Sequence, residues 1–120
     1  MKVLLSIKPE FVEKIINGEK KFEFRRKIFK QEVDIVVIYA SSPLKLVVGE
    51  FVIEDIIKKD LGLLWKITNK YAGINEDYFW QYFKGVEFGY ALKIGKLNLY
   101  ENPIKIERFG LKPPQSYLYL

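Results

Sequence analysis

The residues best suited to chemistry are concentrated in one short stretch, Gly18–Lys27, which reads Gly-Glu-Lys-Lys-Phe-Glu-Phe-Arg-Arg-Lys. Residues 19–30 carry two anions and six cations, a local net charge of +4 in a chain whose net charge is +5. The six cations are Lys20, Lys21, Arg25, Arg26, Lys27 and Lys30. On a β-strand, Lys21, Glu23 and Arg25 would stand in a row, because alternate side chains share a face. Such a row could bind a phosphate or a planar nucleobase, since Arg offers a bidentate fork and Lys a point charge.

Histidine and cysteine are both absent from the chain. Their absence excludes Ser-His-Asp and Cys-His catalytic pairs, disulfides and the usual Cys/His zinc sites. Acid–base chemistry would therefore depend on Glu, Asp, Lys or Tyr, with pKa values shifted by burial or by neighbouring charges. The acidic residues Glu54, Asp55 and Asp60 are too scattered to propose a metal site, and no cofactor is expected.

The charge cluster Lys20, Glu23 and Arg25 has three interpretations. As a binding site, it offers donors and an acceptor to a base edge, with Arg25 on phosphate or ribose. As a catalytic site, it could use a desolvated, neutral Lys20 as base or nucleophile and Glu23 as a proton carrier. As a structural feature, Arg25 would hold Glu23 ionised and Glu23 would hold Lys20 ionised. Composition and spacing alone favour a plainer interpretation of the row Lys21, Glu23 and Arg25, namely a solvated strand face whose cross-strand ion pairs each contribute about 0.2–1 kcal/mol.

Several residues outside this stretch are further binding candidates. Ser41 could cap a phosphate, although the turn before Pro43 also explains it. Aromatic side chains between residues 65 and 83 could stack on bases: Trp65, Tyr71, Tyr78, Phe79, Trp80, Tyr82 and Phe83. Trp80 is the best placed of them because it lies off the apolar stripe. Gln115 and Ser116 could line a cleft if the tail folds back over it. Phe79 and Phe83, in contrast, are expected in the core.

Length and composition describe a compact protein with a basic surface. The 120 residues are 49% hydrophobic, which suits one domain spanning residues 1–120 with a real core. The positive net charge favours anionic partners, namely RNA, DNA or nucleotides. No apolar run is long enough to cross a membrane, and the short N-terminal run does not resemble a signal peptide. We therefore expect a cytoplasmic protein without a membrane partner; its oligomeric state is not predicted.

The first half of the chain predicts one helix among four strands. Residues 3–7 suit a strand, and Pro9 begins a helix that Asn17-Gly18 ends. Residues 20–26 alternate as a half-buried strand does, and residues 33–40 are β-branched like a central strand. Residues 46–54 form the next strand, where Gly49 indicates a bulge or a close backbone approach.

The second half predicts two helices followed by two strands. The pattern is helical from 61 to 84, with Asn75 as the N-cap of the second helix and Gly85 after its end. Residues 88–94 and 104–109 alternate as strands, and Pro113-Pro114 keeps the tail extended. The order β-α-β-β-β-α-α-β-β favours an α+β fold with a small barrel over a doubly wound parallel sheet.

Several motifs together resemble the ASCH domain family. Its hallmark is GxKxxExR, and Gly18, Lys20, Glu23 and Arg25 match it without a gap. The stretch Ser6-Ile-Lys-Pro9 before the motif, and the two blocks Tyr39–Pro43 and Val47–Glu50, also resemble the family. So does the closing segment Pro113–Tyr117. The likeness covers most of the chain and is weakest across residues 58–87.

The resemblance implies a PUA-like β-barrel with flanking or inserted helices, and a cleft where the motif residues meet. It also implies a connection with RNA, as an RNA-binding protein or a transcription coactivator. One branch of the family hydrolyses N4-acetylcytidine with a motif lysine, a threonine and a distant glutamate. Lys20 matches that lysine, but Glu23 stands where the threonine would be, and only Glu76 and Asp77 are candidates for the glutamate.

With the resemblance included, the sequence predicts an RNA- or nucleotide-binding protein, and the resemblance implies a role in regulating transcription or translation. Lys20, Glu23 and Arg25 would form the cleft, and exposed cations would steer phosphate from its rim: Lys21, Arg26, Lys27 and Lys30. The alternative is a metal-independent hydrolase of a modified nucleoside or of RNA, with Lys20 and Glu23 catalytic. A third hypothesis is a protein-interaction module in which the charge cluster is structural.

Overall fold

The computed structural model describes residues 1–120 and contains one mixed sheet with three α-helices. The strands are β1 (Lys2–Ile7), β2 (Phe22–Arg25), β3 (Ile35–Ala40), β4 (Leu46–Asp60), β5 (Phe88–Lys105) and β6 (Tyr117–Tyr119). The helices are α1 (Pro9–Ile16), α2 (Leu61–Thr68) and α3 (Glu76–Tyr82). None of these helices is long and apolar enough to cross a membrane.

The six strands follow the order β2-β5-β4-β3-β1-β6, and the sheet curls into a half-barrel. Strands β1 and β3 are parallel, and every other neighbouring pair is antiparallel. Strands β2 and β6 are the two edges of the sheet, so the chain places the motif strand at an edge. The predicted α+β class and barrel-like architecture are confirmed.

Helices α1 and α3 begin and end at the predicted residues for identifiable reasons. Pro9 is the first residue of α1, and Gly18 after its end has φ +84°, which glycine adopts without a Cβ clash. The Asn75 side chain accepts from the Tyr78 backbone N–H at 2.8 Å and caps α3. Gly85, at φ +92°, follows the end of that helix.

Two strands are longer than their sequence pattern predicts, and one predicted strand is wrong in part. Strand β4 continues to Asp60 instead of ending at residue 54, and β5 is one strand of 18 residues. Long-range pairing between β4 and β5 determines this length, and three register shifts twist the ladder so that alternation is lost. Residues 104–109 are strand only to Lys105; Ile106–Phe109 form a 3₁₀ turn that buries Ile106.

The glycine in β4 has the predicted role. The register shifts between Val47 and Gly49, and a Cβ at Gly49 would lie 2.6 Å from the Asn98 carbonyl oxygen. The adjacent strand therefore approaches too closely for any side chain at this position.

Three apolar clusters hold the elements together. The largest lies between α1 and the sheet, and the smallest packs Ile106 against the opposite face of β1 and β3. The third joins β2 to α2 and α3 through Phe22, Phe24, Leu64, Phe79 and Phe83. Phe79 and Phe83 are fully buried, as predicted. Because β2 packs against α3 in this way, the strand that carries the GxKxxExR motif lies next to the last helix.

Candidate functional site

A cleft of about 250 Å³ opens where α1, α3, β2 and the C-terminal tail meet. Polar groups line it from several elements: Lys20, Glu23, Arg25, Tyr78, Tyr82 and Gln115. Aromatic and aliphatic walls come chiefly from Phe11, Phe24 and Ile74. The structure therefore brings the side chains of Lys20, Glu23 and Arg25 together in one hollow.

The turn after α1 positions Lys20. After Gly18 reverses the chain, the Lys20 backbone N–H donates to the Lys14 carbonyl at 3.0 Å. Lys20 Nζ donates to the Ala72 carbonyl oxygen at 2.8 Å, and Lys20 is only 2% exposed. Next to it, Gly73 has φ +68°, and a Cβ there would lie 2.5 Å from Lys20 Cβ. The lysine is thus held by a backbone segment with no room for a side chain at Gly73.

Burial lowers the pKa of Lys20. Desolvation is the main cause, the nearby Lys14 charge adds to it, and the Glu23 charge opposes it. The ammonium group also lies 5.0 Å from the Phe24 ring centroid and 5.3 Å from that of Phe11. These rings favour the charged form, so they partly compensate for the lost water.

Glu23 lines the cleft, and Phe22 and Phe24 belong to the buried cluster between β2 and the helices, where Phe24 also reaches the cleft wall. The sequence predicts a carboxylate held ionised by Arg25, but Glu23 is only 8% exposed. Burial raises the pKa of Glu23, and the charges of Lys20 and Arg25 oppose that rise without cancelling it. The pKa values of Lys20 and Glu23 are therefore shifted in opposite directions, that of Lys20 down and that of Glu23 up.

Arg25 connects β2 to the C-terminal tail. Its Nη1 lies 3.9 Å from Glu23 Oε2, and its Nη2 donates to the Ser116 hydroxyl. Nearby, Ser6 Oγ donates to the Pro114 carbonyl at 2.7 Å. The tail thus folds back over the cleft, with Gln115 among the lining residues.

The other sequence-predicted residues lie outside the cleft. Lys21 is exposed with its Nζ 4.3 Å from the Tyr71 ring centroid, and Arg26 donates to the carbonyls of Tyr82 and Lys84. Lys27 and Lys30 are exposed. The Ser41 backbone N–H donates to the Ile7 carbonyl at the turn after β3.

Three further residues from the helical segment also lie away from the cleft. Trp80 is 42% exposed, and its Nε1 donates to Glu76 Oε2 at 3.1 Å. Glu76 and Asp77 do not line the cleft. Neither carboxylate therefore supplies the distant glutamate of the acetylcytidine hydrolases at this site.

The aromatic wall of the cleft does not follow from the sequence pattern alone. Tyr78 packs edge-on against Phe11 at a centroid distance of 5.4 Å, and its hydroxyl lies 3.4 Å from Lys8 Nζ. Tyr82 donates to the Phe24 carbonyl at 3.1 Å, and burial raises the pKa of its hydroxyl. The spacing i, i+4 places both tyrosines on one face of α3, which was the available signal.

The cleft thus combines cationic donors, one carboxylate acceptor and aromatic walls. Lys20 and Arg25 can meet an anionic group, and Glu23 accepts no hydrogen bond from within the chain. Ring faces and edges from Phe11, Tyr78 and Tyr82 suit a planar ligand. The arrangement fits a flat, hydrogen-bonding molecule that carries negative charge.

The half-barrel and its charged, aromatic cleft define a class of small α+β proteins, and comparison with known proteins identifies the family. The family model described as the ASCH domain matches residues 5–107. The chain belongs to the ASCH domain family, and the predicted resemblance is confirmed.

Individual relatives extend this finding. A Zymomonas mobilis protein named ASCH domain-containing ribonuclease is 33% identical over 124 residues, covering 98% of this chain and 82% of that protein. The crystal structure of ASCH from Zymomonas mobilis matches with a TM-score of 0.89 at 31% identity, over 99% of this chain and 87% of the other. Large ribosomal subunit protein uL22 of Ureaplasma parvum is 27% identical, and this chain spans 39% of its length.

Proposed function

We propose that this protein binds single-stranded RNA and places one unpaired nucleotide in the cleft. The observation that carries the proposal is the convergence of Lys20, Glu23 and Arg25 in one hollow with aromatic walls. The name of the Zymomonas mobilis relative, a ribonuclease, supports an RNA ligand, as does the net charge of +5. Proteins that recognise RNA sequence usually bind unstacked bases of single strands. A hollow of this kind can accept such a base, whereas a duplex cannot enter it.

Each group has a role in binding a nucleotide. Glu23 accepts hydrogen bonds from the base edge, and the Tyr78 and Phe11 rings contact the base. Arg25 contacts the phosphate with the donors that Ser116 does not use. The exposed cations Lys21, Lys27 and Lys30 attract the RNA backbone from outside. Arg26 contributes charge alone, because its guanidinium already donates to two carbonyls.

The test is RNA affinity measured by fluorescence anisotropy for matched variants. Arg25→Ala should weaken binding about ten-fold or more, because a charged hydrogen bond to phosphate contributes roughly 1.5–3 kcal/mol. Lys105→Ala removes an exposed cation at the end of β5 and serves as the control. Wild-type affinity should also fall steeply with salt, since each phosphate contact releases counterions. Equal effects of the two variants would remove the motif from the binding site.

RNA cleavage is a second candidate function. It is favoured by the opposite pKa shifts of Lys20 and Glu23 and by the ribonuclease name of the relative. In this reaction the base, a neutral Lys20 or an ionised Glu23, removes the proton of a ribose 2′-hydroxyl. The 2′-oxygen bonds to the adjacent phosphorus, the bond to the 5′-oxygen breaks, and that oxygen takes a proton from the other group. Arg25 stabilises the charge of the pentacoordinate phosphorus.

Products distinguish the candidate functions. RNA cleavage by this route leaves a 2′,3′-cyclic phosphate, and a 2′-deoxy substitution at the cleaved position abolishes it. Cleavage should proceed in the presence of EDTA. Lys20→Met should lose cleavage activity while its circular dichroism spectrum shows that it remains folded. Release of acetate from N4-acetylcytidine would instead indicate the nucleoside hydrolase. Binding without any product would leave an RNA-binding protein, for which regulation of transcription or translation is the expected role.

A further inference from the structure

A second concavity of about 570 Å³ lies beside the cleft, between the end of α1 and the turn that precedes α3. Here it is called the α1 groove, and its side chains come mainly from Lys14, Glu19, Lys70, Tyr71 and Ile74. Ile74 lines the α1 groove and the cleft alike, so the two are adjacent. A chain molecule that occupies the cleft can therefore continue over Ile74 into this groove.

The charges of the α1 groove suit a phosphodiester backbone. Lys14 Nζ donates to the Gly73 carbonyl at 3.2 Å, and Lys70 is exposed. Lys21 adds a third ammonium group close to Tyr71. The one carboxylate, Glu19, accepts from Asn17 Nδ2 at 3.2 Å. Lys14 and Lys70 in the lining, with Lys21 beside Tyr71, outnumber this carboxylate and leave the groove positive.

Tyr71 provides a surface for a base or a ribose. Its side chain is 38% exposed, and Lys21 and Lys70 place ammonium groups 4.3 Å and 5.7 Å from its ring centroid. Aromatic rings interleaved with cations are the usual platform for single-stranded nucleic acid, where stacking is tolerant of sequence. An acidic peptide would use the lysines but has no need of the ring.

We infer that the α1 groove is the subsite for the nucleotide next to the one in the cleft. Its phosphate contacts Lys14 and Lys70, and its base stacks on Tyr71. The inference rests on the proposed RNA binding and adds to it a direction for the strand, from the cleft across Ile74. It also predicts that recognition requires at least two linked nucleotides.

The experiment measures affinity for oligoadenylates of one to four nucleotides. Wild type should gain about ten-fold in affinity from one nucleotide to two, from the added stacking and the added phosphate contact. Tyr71→Leu and Lys70→Gln, alone and combined, should lose most of this gain while affinity for the mononucleotide stays unchanged. A dinucleotide with an abasic second position should lose the stacking part of the gain in wild type and nothing in Tyr71→Leu.

A matched control lies on the β4–β5 ladder, where Lys58 Nζ is 5.7 Å from the ring centroid of exposed Phe88. Neither residue lines the cleft or the α1 groove, so Lys58→Gln with Phe88→Leu should leave the gain intact. If the groove variants keep the full gain, or polyglutamate competes as well as RNA, the inference is wrong while the cleft proposal stands. If wild type binds no oligoadenylate, or Arg25→Ala has no effect at any length, the proposed function itself is wrong.

Discussion

Glu23 and Lys20 are ionisable groups that burial moves towards their neutral forms. A buried network of this kind need not stabilise the fold, because desolvation offsets the attraction between the charges. Lys20 Nζ donates to a backbone carbonyl and Glu23 faces the cleft, so the two side chains do not hydrogen-bond to each other. Both side chains line the cleft, where a ligand could contact them.

Glu23→Gln should change how stability depends on pH. Since the folded-state pKa of Glu23 is raised, the folded protein binds this proton more tightly than the unfolded chain. The wild-type free energy of unfolding therefore falls as pH rises from the ordinary carboxyl pKa towards the raised one. Relative to wild type, Glu23→Gln should become progressively more stable as pH rises above about 4.3.

Urea unfolding at half-unit steps between pH 4 and pH 6 measures this difference. Glu19→Gln is the matched control, because Glu19 is an exposed carboxylate close by in the same motif. The stability difference from wild type should change more with pH for Glu23→Gln than for Glu19→Gln. A pH-independent difference for Glu23→Gln would show that burial does not control the Glu23 carboxyl.

At this scale the sequence predicts which motif residues share a strand face but not what surrounds them. Alternation around Phe22 and Phe24 is enough to place Glu23 and Arg25 on one face of a strand. It does not reveal that this face is covered by α3 and the tail, which depends on long-range packing. For the same reason the sequence does not reveal that Lys8 and the two tyrosines of α3 line the cleft.

At the scale of elements, the turn between α2 and α3 supports the motif. Lys20 is bridged to Ala72, and the Lys21 backbone N–H donates to the Tyr71 carbonyl at 2.8 Å. This short pairing fixes the chain before β2 begins. Residues 58–87 resemble the family least, yet a backbone carbonyl of this segment, that of Ala72, accepts the hydrogen bond from the motif lysine.

Gly73→Ala should damage the cleft more than backbone strain alone explains. Its positive φ costs a non-glycine residue roughly 1–2 kcal/mol, and the new Cβ would also push Lys20 aside. Gly110→Ala is a close control, because Gly110 also has φ +68° and its Cβ would meet nothing within 4 Å.

Unfolding free energy and RNA affinity should both be measured for these two variants. Backbone strain should destabilise both variants by a similar amount. Gly73→Ala alone should lose further stability and bind RNA more weakly. Similar losses of affinity in the two would argue that the position of Lys20 does not matter for binding.

The lengths of β4 and β5 show what local pattern cannot supply. Beyond residue 54, β4 is mostly exposed, and its register shifts obscure any period-two pattern. Its partner β5 lies more than thirty residues away along most of the ladder, so pairing, not propensity, extends both strands. Helix ends were easier to predict, because proline, asparagine and glycine act there through local geometry.

At the scale of the whole molecule, side chains join the two edges of the half-barrel. Phe29 packs edge-on against Tyr117 at a centroid distance of 5.0 Å, and Arg25 donates to Ser116. Tyr119 Oη accepts from the backbone N–H groups of Lys30 and Gln31 at 2.9 Å and 3.2 Å. These contacts connect the segment after β2 with the last strand and shape one side of the cleft.

Tyr119→Phe should loosen this connection without removing the ring. Loss of an acceptor shared by two N–H groups should cost about 0.5–1.5 kcal/mol, since solvent can replace part of it. Hydrogen exchange at Lys30 and Gln31 should become faster, whereas exchange in β3 and β4 should not change. Tyr90→Phe, on half-buried Tyr90 of β5, is the control. Unaltered exchange at both amides would contradict the proposed connection.

The position of β1 between β3 and β6 has a kinetic consequence. Val3 pairs with Val36 on one side and with Tyr119 on the other, so neither neighbour is local along the chain. Loop-closure entropy must be overcome before either contact contributes enthalpy, which slows folding of topologies rich in distant contacts. We expect refolding over roughly milliseconds to seconds, with β6 among the last segments to gain protection.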